Sequence, residues 1–262
     1  MRALAEALRF LSVIPVPGTP PEKTSRVPAF YPWAGLLLGI PAAGAAWAAG
    51  WVFSAAGAAV TVVALRIAVT GGLHMDGLAD LADGTGGGRD REKRLAIMAD
   101  SRLGTFGALA LLVMTALQIT VIAELLQLPF PEHSLKALFP LLFAPAFSRG
   151  IIPLMMRIFP SARPGGMGDR NRRTALPSAV LTALVSVIFI GTFFFGIAGL
   201  AVSAVVLLLL LSAGARISRQ LGGLTGDVYG ALIETGDLLI LFGLFLVFRF
   251  NLSTPGLLSL LR

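Results

Sequence analysis

The chain contains no cysteine, which removes disulfide scaffolds, thiol nucleophiles, thiolate metal centres and iron-sulfur clusters together. Charge is scarce as well: Asp, Glu, Lys and Arg make up 13% of 262 residues, against 56% hydrophobic residues and a mean hydropathy of +0.83. An ordinary soluble domain of this length needs more charge than that to cover its surface. No Walker loop or dinucleotide fingerprint is present either, since Gly86-Gly87-Gly88 lacks the lysine and the preceding strand of a phosphate-cradling loop. What the chain does have is apolar residues in long blocks and a net charge of +7. In a membrane protein that surplus points to anionic headgroups, cytoplasmic loops or phosphorylated substrates, not to nucleic acid.

The blocks predict an all-α, polytopic membrane helix bundle forming one membrane-embedded domain over 1–262. About seven spans are expected, at 29–49, 51–70, 104–126, 135–156, 175–195, 197–214 and 231–250. Residues 1–28 carry Leu4, Leu8, Leu11 and Ile14 at helical spacing without a signal-peptide core, which predicts an interfacial helix. Sixteen Lys and Arg fall in the N-terminus and the 71–103, 157–174 and 215–230 loops, and only Arg249 and Arg262 on the other side. This asymmetry places the N-terminus and the long loops in the cytoplasm of a bacterial or archaeal inner membrane. Arg66, Lys136 and Arg149 are left inside or at the edge of spans. Arg149 lies deepest, in a span interrupted by Pro140, Pro145 and Pro153, and is either a substrate contact or half of a structural ion pair.

Six of the fourteen carboxylates lie between Asp76 and Asp100. Asp76, Asp80 and Asp83 stand at i, i+4 and i+7, within ~60° of one another on a helix. Three like charges on one stripe repel and ask for a cation, and an oxygen-only donor set favours a hard one, Mg2+ before Mn2+ or Ca2+. The competing reading is that these aspartates merely cap the next helix. Gly77 and Gly84 beside the stripe would let a phosphorylated group approach the backbone. His74 has no assigned role. Asp100, Ser101 and Arg102 place an acid, a hydroxyl and a guanidinium fork at the mouth of the third span, suited to phosphate, though Ser101 serves equally as an N-cap. The loop arginines are explained by positive-inside topology, with Arg163 the best candidate for a phosphate contact because its Pro/Gly surroundings fix a backbone shape. Asp227 and Glu234, seven apart, form a second acidic stripe that could face the first as metal ligands. Carboxylates, a divalent cation and arginines at a membrane surface are the parts of phosphoryl or phosphodiester transfer.

The run Thr70 to Gly84, the stretch Ile97 to Gly107, Arg163-Pro164-Gly165-Gly166-Met167-Gly168, and Gly223 to Glu234 together resemble cobalamin synthase, the adenosylcobinamide-GDP ribazoletransferase family. Phe10 to Pro17 and Phe30-Tyr31-Pro32 resemble it too, so the likeness runs the length of the chain in order. Leu81 departs from it, standing where a Thr is expected. The resemblance implies that a ribose hydroxyl of α-ribazole, or of its 5′-phosphate, attacks the cobinamide-side phosphorus of adenosylcobinamide-GDP and that GMP leaves, with Mg2+ required. It implies Asp76, Asp80 and Asp83 as catalytic metal ligands, Asp227 and Glu234 as a second pair, and Arg102 and Arg163 on phosphate. Corrinoid and ribazole substrates and the bilayer are the implied partners, with homo-oligomerisation left open. An ion-coupled transporter and a CDP-alcohol-type lipid phosphotransferase are the alternatives.

Overall fold

The computed structural model describes residues 2–18, 25–128, 135–163 and 175–252. These are helical, and among the described residues there is no strand beyond an isolated bridge between Ser161 and Leu224. In chain order the α-helices are α1 Arg2–Leu11, α2 Tyr31–Ala49, α3 Ala55–Thr70, α4 Leu73–Gly87, α5 Arg91–Ile97, α6 Thr105–Leu126, α7 Phe139–Gly150, α8 Ile152–Ile158, α9 Pro177–Leu221 and α10 Gly226–Arg249. A 3-10 turn, Val27–Phe30, leads into α2. The side chain of Lys136 and the residues from Pro164 to Thr174, with Gly165 to Gly168 and the loop arginines Arg170, Arg172 and Arg173, lie outside the described residues.

Five segments are long and apolar enough to cross a membrane: Val27–Ala49, Thr105–Leu126, Phe139–Ile158, Pro177–Leu221 and Gly226–Arg249. The bent pair α3 and α4 makes a sixth if counted as one. The 45-residue α9 is not straight. Gly196 within it has φ 59° and ψ −145°, a conformation open only to glycine. On an unbroken helix Gly191 and Gly199 would lie ~12 Å apart. Here a Cβ on Gly199 would come within 2.5 Å of the Gly191 carbonyl oxygen, so the two arms fold back on each other. Small residues at the crossing permit that contact in lipid. The arms correspond to the two spans expected at 175–195 and 197–214.

The expected second span, 51–70, requires correction. α3 begins at Ala55 and has 16 residues, ~24 Å of helix, short of the ~30 Å of hydrocarbon. It ends at Gly71 and Gly72, both left-handed with φ 63° and 72°, and the chain turns through 90° into α4. α4 then runs across the beginnings of two long helices: Gly77 rests on the backbone of Asp227 at the start of α10, and Asp83 reaches the first turn of α6. The acid-bearing helix therefore runs across the starts of α6 and α10. α1 buries Ala7 and Leu11 and stacks Phe10 on Tyr31 of α2, so the expected interfacial helix is docked on the bundle.

Candidate active site

The meeting of α4 and α10 is set by a close backbone approach. A Cβ on Gly77 would lie 2.6 Å from the carbonyl oxygen of Asp227, so only glycine lets the helices touch there. Asp76, Asp80 and Asp227 are thereby brought into one neighbourhood, Asp76 exposed and the other two half-buried. Thr225 caps α10 and donates its hydroxyl to Asp227 at 3.1 Å. Arg163 lies 3.6 Å from Asp227 and donates to the Leu95 carbonyl at 2.9 Å, which ties the loop after α8 to α5. Burial, then the charges of Asp76 and Asp227, push the Asp80 carboxyl up to about 6, with Arg163 opposing. A carboxylate so placed holds or releases a proton near neutral pH.

Several sequence expectations change on this geometry. Asp83 is buried and turned to α6: its two oxygens accept the Gly104 and Gly107 backbone N–H groups, each at 2.8 Å. It supplies the cap that α6 lacks, because its own N-cap, Gly104, has no side chain. For Asp83 the helix-capping alternative is the one that holds. Gly84 meets the Met98 side chain and the Arg94 carbonyl, and Gly77 the α10 backbone, so both glycines serve helix packing and not the approach of a ligand. Asp100 and Arg102 grip each other at 2.5 Å beside an exposed Ser101, and Arg102 holds the Asp100 carboxyl down at about 2. The Arg102 fork is thus occupied by its own neighbour.

Glu234 and Arg149 belong to a second, deeper cluster. Glu234 accepts a hydrogen bond from Gln118 of α6 at 2.7 Å and lies 3.9 Å from His74 Nδ1. Arg149 Nη1 donates to Asp237 at 2.8 Å and its Nη2 lies 3.3 Å from His74 Nδ1. Asp237 is fully buried, and also accepts from Arg66 and, at 2.5 Å, from the Ser148 hydroxyl. Of the two readings of Arg149, the ion pair is therefore the one found, and Glu234 sits apart from the exposed acids. Asp237 was not anticipated. The signal was present: Arg66 and Arg149 were both placed within spans, and an intramembrane cation needs an intramembrane anion. Asp237 lies on the same stretch of α10 as Glu234, well inside the last expected span.

The chain matches the family model described as cobalamin-5-phosphate synthase over residues 3–245. It belongs to that family. Among its relatives, a protein of Roseiflexus sp. strain RS-1 is 36% identical over 241 residues, covering 91% of this chain and 87% of that one. One from Klebsiella pneumoniae subsp. pneumoniae is 37% identical over 250 residues, covering 93% and 99%, and one from Desulfitobacterium hafniense 37% over 258 residues, covering 94% and 97%. All three carry the name adenosylcobinamide-GDP ribazoletransferase. No solved structure matches the chain. The family is one of transferases, and this member is an enzyme with a helical membrane bundle.

For a transferase, the exposed acids are the informative part. Among the described residues no three carboxylate or imidazole side chains converge closely enough to hold a metal together. The chemistry of the donor set nonetheless fits a hard cation: Asp76, Asp80 and Asp227 are oxygen donors whose charges oppose one another, with Arg163 beside them. Asp83 and Glu234 are committed to α6, the one through its backbone and the other through Gln118.

Proposed function

We propose that this chain transfers a phosphoryl-linked group in the last assembly of the cobalamin nucleotide loop: a ribose hydroxyl of α-ribazole or its 5′-phosphate attacks the cobinamide-side phosphorus of adenosylcobinamide-GDP, a new phosphodiester forms, and GMP leaves. The observation that carries the reading is the surplus of carboxylates at Asp76, Asp80 and Asp227, in a chain whose relatives bear the name of that reaction. Mg2+ bound among these carboxylates would neutralise phosphate oxygens. Asp80, raised toward neutrality, receives the proton of the attacking hydroxyl. Arg163, beside Asp227, holds phosphate charge at the same edge. The excess of Lys and Arg in the loops on this side supports a cytoplasmic face at the inner membrane.

The test is the purified full chain in detergent or lipid with adenosylcobinamide-GDP, α-ribazole and Mg2+, assayed for GMP. Turnover that stops on chelation and in Asp80→Asn, with the protein still folded and inserted, supports the reading. Turnover that survives both overturns the role of Asp80 and the metal; release of CMP from a CDP-alcohol instead would move the chain to lipid chemistry.

A further inference from the structure

Between α1, α4, α8 and α10 lies a cavity of about 350 Å3. Phe10 and Leu11 of α1, Ile152 and Met156 of α8, and Tyr229 and Ile233 of α10 make its walls mainly apolar. Its polar edge is formed by His74, Asp76 and Asp227, the last two from the exposed acid group. Arg9 also borders it, but that guanidinium is clasped by Glu6 and by the carbonyls of Val16, Pro17 and Gly18, so it adds no free cation for a phosphate.

The shape and chemistry of this hollow sort the two substrates. A corrin ring with its amide arms is far larger than a cavity of about 350 Å3. A diphosphate would lose its hydration against Phe10, Leu11 and Ile152 with nothing to replace it. Guanine carries donors and acceptors around most of its edge, and His74, Asp76 and Asp227 could meet only the side turned to them, leaving the rest against Phe10, Leu11, Ile152, Met156 and Ile233. The dimethylbenzimidazole base of α-ribazole is flat, methylated and nearly free of polar atoms, and a cavity of this size lies within the ~300–1,000 Å3 range of small-molecule sites. Resting on the reaction proposed above, we infer that the cavity is the pocket for the base of the nucleoside acceptor, which delivers the attached ribose to the Asp76 and Asp227 edge. The docked N-terminal helix then has a function: it closes the pocket over the base.

The pocket can be altered from two sides. Gly226 lies on the wall, a Cβ there meets nothing within 4 Å, and its φ is not positive, so Gly226→Leu adds bulk without backbone strain. Ile233→Ala removes apolar wall instead. The experiment is equilibrium dialysis of α-ribazole against the full chain in detergent, with steady-state KM measured for each substrate. Each variant should weaken α-ribazole binding and raise its KM roughly tenfold or more, leaving the KM of adenosylcobinamide-GDP within about twofold. Purine ribosides should not compete. Wild-type affinity for α-ribazole in both variants, or a KM effect confined to the donor, would overturn the assignment. The two proposals separate cleanly: wild type that binds α-ribazole and is weakened by both substitutions, yet releases no GMP, sinks the reaction and keeps the pocket. Active wild type with indifferent variants does the reverse.

Discussion

Asp227 and Asp237 stand on the same helix ten residues apart, ~15 Å along its axis, and their surroundings are opposites. Around Asp237 the charges are paired: two guanidiniums and a hydroxyl converge on one carboxylate and Gln118 holds the neighbouring Glu234, with Arg149 Nε left buried and without a hydrogen-bond partner. Around Asp227 they do not balance: Asp76 and Asp80 add negative charge, and Arg163, at 3.6 Å, stands off from a tight pair. A paired buried network fixes how helices pack. On the function proposed above, the unbalanced acids at the surface are where a cation would bind. The difference teaches that the number of charged residues in a membrane helix says little until their partners are known.

The two regions should respond differently to the same kind of change. The largest effect belongs to Asp80→Asn: loss of the proton acceptor is expected to lower GMP release by ~10²–10⁴-fold with little change in melting temperature. pH sharpens this. The raised Asp80 carboxyl must be ionised to act, so activity should fall as pH drops through about 6, and added Mg2+, competing with the proton, should move that midpoint lower. In chelator the sign for stability is the reverse: a carboxyl raised in the folded state favours folding below its unfolded pKa, and that contribution is lost as pH rises through about 6. A melting temperature that drops between acid and neutral pH only when Mg2+ is withheld would show both.

Next is Asp237→Ala, which strands Arg66 and Arg149 in the bundle and should cost ~3–5 kcal/mol of stability in detergent unfolding, activity falling only with the folded fraction. A specific activity per folded molecule reduced as far as in Asp80→Asn would erase the distinction between the regions. Smaller still is Asp83→Ala, which leaves the Gly104 and Gly107 amides of α6 without their acceptor and should cost ~1–3 kcal/mol. Gly107→Ala should be comparably harmful, because a Cβ there would lie 2.4 Å from an Asp83 oxygen. Arg102→Ala should be the mildest, with melting temperature and KM unchanged, since its side chain is exposed and, among the described residues, engages only Asp100.

Much of this architecture could be read from residues alone. Hydropathy located the long helices, and even the fold-back at Gly196 fell between two expected spans, because a glycine flanked by apolar runs marks a reversal. Hydropathy misjudged α3, where the apolar run ends at a glycine pair that turns the chain before it can cross. Helical spacing put Asp76, Asp80 and Asp83 on one stripe, but spacing does not say what each end of the stripe meets. The stripe passes from exposed Asp76 to buried Asp83, and α6 claims the buried end. Gly77 and Gly84 were legible as sites of close approach, though the approaching partner is protein. Asp237 is legible only when Arg66 and Arg149 are taken together, since a low-dielectric interior requires every such charge to be paired.

The cation site proposed at the surface acids is tested most directly by titrating Mn2+, as a paramagnetic substitute for Mg2+, into the purified chain and into Asp80→Asn and Asp83→Asn, with binding followed by electron paramagnetic resonance. The wild type and Asp83→Asn should bind with similar affinity and Asp80→Asn at least ~10-fold more weakly, as expected when one carboxylate of a hard-cation site is lost. Equal binding by Asp80→Asn, or loss of binding in a folded Asp83→Asn, would contradict a cation site built on Asp76, Asp80 and Asp227.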